Sequence, residues 1–544
     1  MRQIYLLFLI IMSMFGIITI TSSATNDYNH YGKKQLYKGR PLQDQIQQKN
    51  TVYVIKNSIN INGDTLLLPE GSTLLFKKRG RLYNGTLIGN RTRIIAPKRK
   101  VLDNVSIARS GSWENAYGYP EWFGASNKKS FDSKMAIQKA IDVSDTCVLS
   151  QNYFTAYDTK TFRGDNIDFC AIDIENKAIR GLNGNRIYID SKYSNTEKTT
   201  VFCVGSNVSV DGVNIEYYNE DHSGWTGTQA GVYRIRGGNV SICNTTLRGA
   251  MAAWINLIGA PGREGYVFKN NFIHDCDCGI IIQGNQHVDG ELYSIKMQIV
   301  DNVIEKEKER HSEIVVFWGS CKDSGCVYYT DVTIKNNLFS GGYIGGCITN
   351  HPQRCGLRNI TITDNTFYDC GACSFYNAKG ITYLRNYVTG STFIERQSKG
   401  LYGTYPDLAF TNCSECIVDD NSCFGLFLKD CDGLHIGKIK QTLMLTSTDS
   451  LLLKNNDYIT NFIGVAAFNS NVSIDELIIN PFSCDMANSD ICRYLIHRGN
   501  KSIISVGTVI SSIPIQVSQN KIIIDKLFFL PGKYKLSYIE TNGQ

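Results

Sequence analysis

The chain has 544 residues, 56 Lys and Arg against 50 Asp and Glu, a net charge of +6, and 42% apolar residues. That length suits several domains or one extended repeat array, and the charge balance lacks the strong basic bias of a nucleic-acid-binding protein. Beyond residue 20 there is no uncharged apolar run long enough to span a membrane, so no transmembrane anchor is expected.

Residues 1–24 begin with Arg2, continue as an apolar run from Ile4 to Ile20 and end in Ser22-Ser23-Ala24. This is the pattern of a secretory signal peptide, and with no Cys just after the run it predicts a secreted or periplasmic protein without a lipid anchor. Residues 25–118 form a β-rich segment of short strands and tight turns such as Asn84-Gly85. Between 25 and 100, fifteen Lys or Arg stand against four acids. Such a cluster reads either as a surface for an acidic polysaccharide or as solvated turns between edge strands, where Lys discourages sheet-to-sheet association.

Next comes Trp122-Phe123-Gly124-Ala125, and after it a stretch with an Asp or Ser cap and with Met135, Ile137, Ala140 and Ile141 near one face. The spacing predicts a short helix over 132–142, placed to cover the open end of a repeat array. From about residue 210 a phrase recurs: Phe268-Lys269-Asn270-Asn271-Phe272, Ile299-Val300-Asp301-Asn302-Val303, Ile334-Lys335-Asn336-Asn337-Leu338 and Ile362-Thr363-Asp364-Asn365-Thr366. Counted from Thr245 through Asn271, Asn302, Asn337, Asn365, Asn386, Asn421 and Asn456, the intervals are 26, 31, 35, 28, 21, 35 and 35 residues. Strand-and-turn repeats of this length without helix predict a coiled β-solenoid. Asn tolerates a left-handed turn and can bond to the same amide one repeat away, so these asparagines are assigned to structure. Long intervals place insertions around 305–326 and 388–416, where they would wall a groove. Residues 481–544 lose the phrase and read as final rungs or a C-terminal cap.

The Trp122 to Ala125 phrase, the Ala136-Ile137-Gln138-Lys139-Ala140 core and the Asn ladder together resemble the pectate-lyase-like superfamily. The resemblance implies an all-β fold, a right-handed parallel β-helix over 119–480 with a short N-terminal capping helix. It also implies a polysaccharide as ligand or substrate and, for the chain, a lyase, a glycoside hydrolase or a non-catalytic adhesin. Many members follow the Trp-Phe-Gly-Ala phrase with an acidic, glycine-rich segment; here Ser126-Asn127-Lys128-Lys129-Ser130 stands instead. A lyase family on this fold carries E-I-x-S-x-K-S, and the stretch from Glu313 resembles its start, with Trp318 where the lysine would be.

Aligned by their distance from the turn, the strands after each Asn place Gln283, Trp318, Asn350 and Asn377 in one column. This column reads as a sugar-binding face, with Trp318 and Trp254 as flat apolar surfaces, or as strand ends that satisfy turn backbone. Lyase chemistry on a uronate needs a cation and a base; His351, Arg354 and the acids Asp275, Asp277 and Glu313 are the nearby supply. Those three acids are candidate calcium ligands, and Asp275 or Asp277 with Glu313 is the best carboxyl pair for hydrolysis. Strand parity sets Glu313 and Trp318, five residues apart, on opposite faces. Eighteen cysteines suit disulfides in an exported protein, with Cys321/Cys326, Cys347/Cys355 and Cys484/Cys492 spaced for small loops, or they stack as small apolar groups. The pairs Cys370/Cys373 and Cys413/Cys416 are too far apart for the usual zinc knuckle.

Overall fold

A computed structural model describes residues 32–155, 169–182, 184–190, 199–218, 231–249, 255–259, 263–276, 279–284, 290–306, 314–318, 326–341, 347–368, 370, 373–389, 408–423, 426–444, 462–468, 471–482, 494–498, 503–511, 515–518, 521–524 and 532–535. The signal-like segment and Asn456 lie outside them, as do much of the two expected insertions. The chain divides into two compact units, 1–97 with 101–114 and 98–100 with 115–544.

In the first unit Gly32–Gln35, Thr51–Ile55, Thr73–Phe76 and Arg93–Ile95 pair in parallel, and Arg81–Ile88 pairs in parallel with Ser58–Asn60, Thr65–Leu67 and Leu102–Ile107. Several of its basic residues are matched by acids. Arg91 and Arg93 hold Glu114 at 2.6 and 3.3 Å, Arg81 holds Asp103 at 3.1 Å, and Lys49 holds Glu70 at 3.0 Å. Exposed pairs of this kind add little stability, and they leave most of the positive excess that the sequence shows in place.

From Ser144–Leu149 to Tyr387–Thr389, each turn of the second unit lays a strand in each of three sheets. Tyr266–Lys269 lies in the first, Phe272–Cys276 in the second and Ile280–Gly284 in the third; the next turn repeats the order with Leu292–Val300, Val303–Lys306 and Val315–Trp318. Register is kept between turns, so alternate residues stack into inward columns. Ile242, Phe268, Ile299, Ile334 and Ile362 form one such column, each fully buried. Burial of this kind stabilises by about 1.5–3 kcal/mol per large apolar side chain. The coil winds in the right-handed sense that strand-crossover-strand connections take. Near the end it gives way to antiparallel pairing, Gly532–Lys535 on Ile503–Ser511 and Lys521–Ile524 on Tyr494–Arg498.

The capping helix is Lys134–Asp142. Ser133 stands at the N-cap without a side-chain cap bond, and Asp132 before it accepts the Lys134 N–H through Oδ1 at 3.0 Å. Ile137, Ala140 and Ile141 are buried as expected, but Met135 is exposed and Ala136 lies inside instead. At 3.6 residues per turn Met135 stands about 200° from Ile137, so it was misplaced on the apolar face. Gln138 closes the sheet edge: its side-chain oxygen accepts the Asp173 N–H at 2.8 Å and its amide donates to the Asp173 carbonyl at 3.0 Å. One amide thus takes the place of a neighbouring strand at Asp173 of strand Phe169–Ile174.

The asparagine phrase sits at the turn from the first sheet to the second, and its two positions differ. The first residue takes the left-handed conformation: Asn270, Asp301, Asn336, Asp364, Arg385 and Asp420 have φ between 50 and 59°. The second is buried and forms the ladder. Asn271, Asn302, Asn337, Asn365 and Asn386 each donate from Nδ2 to Oδ1 of the next, at 2.9–3.3 Å. The other Nδ2 hydrogen of each goes to a strand carbonyl one turn back, at 2.9 Å. The expectation that one asparagine would serve both as turn and as ladder is therefore corrected: each task has its own residue.

Cys326, Cys347, Cys355, Cys370, Cys373, Cys413 and Cys416 are thiols, so the Cys347/Cys355 and Cys321/Cys326 loops are not disulfides, while Cys203 is disulfide-bonded. Burial holds the Cys416 thiol up at about 11, which suits packing rather than reactivity. Cys484 and Cys492 lie outside the described residues. Among the described residues no helix is long and apolar enough to cross a membrane.

Candidate functional site

On the third sheet Val315 and Phe317 are fully buried in the coil, so Val316 and Trp318 point outward. Register carries that assignment along the axis. Ile281, Val316, Thr349, Ser374 and Ala409 make one outward column. Trp318, whose backbone pairs with Gln283, belongs to the next; His351, one residue past the Phe317 to Asn350 pair, continues it toward Tyr376 and Thr411.

Outward columns are ordinarily wet, as at Ser209 and Gln298 on the first sheet and Arg248 and Tyr387 on the second. The third-sheet column is sheltered: Val316 is 2% exposed, Ala409 6%, Ile281 7%, and Thr349 and Ser374 9%. Ile281 and Val316 form a small apolar cluster of their own, with Trp318 packed against it.

His351 meets Trp318 edge-on at 4.9 Å between ring centroids, and the exposed Arg354 guanidinium stands 6.0 Å from the indole centroid. The Gln353 N–H donates to His351 Nδ1 at 3.3 Å. The neutral ring therefore carries its proton on Nε2 and offers a donor outward. Burial first, and the neighbouring Arg354 second, hold the imidazole below its ordinary value. The unfolded chain consequently takes up this proton before the folded one as pH falls. Stability from this group is complete above about pH 6.5 and is lost as pH falls through the lower folded value. His351→Gln is expected to flatten that part of the profile; urea midpoints at successive pH values from 7.5 to 5 check it.

No family model matches the chain, and neither does any curated protein. Among solved structures, the catalytic unit of the GH87 α-1,3-glucanase from Streptomyces thermodiastaticus is 12% identical, with 73% of this chain and 69% of that one covered and a TM-score of 0.38. The surface adhesin PfbA of Streptococcus pneumoniae is 13% identical, with 75% and 98% covered and a TM-score of 0.40. The endo-xylogalacturonan hydrolase of Aspergillus tubingensis is 13% identical, with 75% and 94% covered and a TM-score of 0.32. Overlaps of this size say nothing about chemistry, and the architecture rests on the ladders described above. The fold is a three-sheet parallel β-helix.

The β-helix register corrects the column expected from the sequence. Gln283 does pair with Trp318, but Asn350 pairs with Phe317 in an inward column and is 1% exposed. Its Nδ2 donates to the carbonyls of Cys355 and Tyr376, at 2.6 and 2.8 Å, and its Oδ1 accepts the Tyr376 N–H. Asn377 is a left-handed turn residue, φ 52°, bonded to Pro352 and Asn412. Both serve the backbone. Alignment from the Asn turn failed because the intervening turns differ in length.

Asp275 belongs to the second sheet, not the third. It is exposed, with Arg248 at 3.3 Å and His274 at 3.1 Å, in a surface chain that continues through Arg248 toward Glu216. Asp277, Glu313 and Trp254 lie outside the described residues. Among the described residues no three His, Cys, Asp or Glu are placed to hold a metal ion, so the calcium proposal has no support there.

Proposed function

We propose that this β-helix recognises a complex glycan on the sheltered outer face of its third sheet, with Trp318 as the stacking surface and His351 and Arg354 as polar partners. The carrying observation is the partly exposed Trp318 ring, packed on the apolar Ile281 and Val316 pair and flanked by a donor and a cation. Apolar floor with a few placed polar groups is the composition of a carbohydrate site. Arg354 favours an acidic sugar, through charge-assisted bonds to a carboxylate. Recognition is favoured over cleavage because the proton on His351 Nε2 leaves that nitrogen without the lone pair a base needs. A lyase or hydrolase reading depends on Asp277 and Glu313, which adjoin the strands of this face in sequence.

Calorimetric titration against neutral and uronate-containing oligosaccharides, run with assays for new reducing ends and for the ultraviolet absorbance of unsaturated uronates, tests both parts. Binding without either product is expected. Reducing ends alone would select hydrolysis, added absorbance would select elimination, and no binding at all would end the proposal.

A further inference from the structure

The sheltered column contains two hydroxyls that the protein leaves uncommitted. Thr349 and Ser374 pair across adjacent turns, so their side chains stand about one rung, ~4.8 Å, apart. Each is 9% exposed, yet neither makes a side-chain hydrogen bond to a described residue. Val316 precedes them in the column and Ala409 follows, so between Ile281 and Ala409 the column is polar at these two turns. Neither hydroxyl oxygen is among the fully enclosed polar atoms, so each keeps a path to a ligand. In the adjacent outward column, the same turns carry His351, beside Trp318, and Tyr376 one turn further on.

We propose that Thr349 and Ser374 are the specificity floor of this face, holding two hydroxyls on the edge of a sugar ring that stacks on Trp318. This rests on the glycan-recognition reading above. A Ser or Thr hydroxyl both donates and accepts, as a sugar hydroxyl does, so the pair satisfies either orientation of the ligand's protons. A site built to bond a hydroxyl rejects an analogue that lacks the proton, because its own polar groups are then left unpaired. The floor therefore selects free over O-methylated or deoxygenated sugar, while Arg354 at the rim selects charge.

Thr349→Val and Ser374→Ala remove the hydroxyls and nearly preserve shape. Tested in the full chain against native and O-methylated oligosaccharides, neutral and uronate-containing, each is expected to weaken binding of the native sugar about three- to tenfold. Each should also narrow the gap between native and methylated ligand, which a merely structural residue would not do. Thr349→Ser keeps the hydroxyl and should retain discrimination, and thermal midpoints equal to or above the parent's would show that folding is intact. Unchanged affinity and discrimination in the double variant, with binding still lost in Trp318→Ala, overturns the floor but leaves the glycan reading standing. Wild-type binding by Trp318→Ala overturns the reading itself, and the floor with it.

Discussion

Trp318→Ala is expected to weaken glycan binding about 30-fold or more while leaving the thermal midpoint within a few degrees of the parent's. The size follows from the ring's position. Truncating a buried aromatic anchor at a binding surface typically costs about 2 kcal/mol or more, and this ring is half-buried between an apolar floor and two polar neighbours. The fold should survive because Trp318 points outward from a strand whose inward residues, Val315 and Phe317, stay in the core. Trp318→Phe keeps a flat face but loses the indole N–H, so it should fall between the two. Calorimetric affinities together with thermal melts check this: equal losses of binding and stability would mean that the ring supports structure rather than ligand.

The fold was legible because a β-helix repeats its constraints. From Asn271 to Asn421 every described turn from first sheet to second sets one residue at positive φ and one buried amide after it, so the paired phrase recurs; one and two turns earlier Thr245 and Val213 hold the buried position. Even its exceptions keep to the rule, Arg385 taking the left-handed position that asparagine fills elsewhere. Outward columns have no such requirement. Ser209, Gln298 and Arg248 are wet, Thr349 and Ser374 are sheltered, and nothing local in the sequence distinguishes them. His351 and Arg354 were recognisable as chemistry-bearing types, but their place beside Trp318 depends on the register of three turns of unequal length. Asn350 shows the reverse error: a polar residue at a strand end looked available for ligand and is consumed by the Tyr376 and Cys355 backbone.

The ladder itself gives the largest expected effect on stability. Asn337 Oδ1 accepts from the Asn302 N–H and from Asn302 Nδ2, both at 2.9 Å, and its own Nδ2 donates to Ile299 O and Asn365 Oδ1, also at 2.9 Å. Asn337→Ala removes all four bonds and strands the Asn302 N–H and the Ile299 carbonyl in a buried turn. At about 1–3 kcal/mol for each unsatisfied buried group, the loss should be about 3–5 kcal/mol. Asn337→Asp keeps the acceptor but removes the donor and buries a charge, so it should be no milder. The neighbouring Asn336 gives the contrast. It is exposed, at φ 55°, and bonds through Nδ2 to Asp301. Asn336→Gly should therefore be nearly neutral, whereas Asn336→Val should cost about 1–2 kcal/mol through the left-handed backbone alone. Urea denaturation of the four variants, followed through the cooperative loss of β-sheet circular dichroism, checks the ranking. A mild Asn337→Ala would mean that water enters the turn and replaces the ladder, and the asparagines would then be optional to the coil.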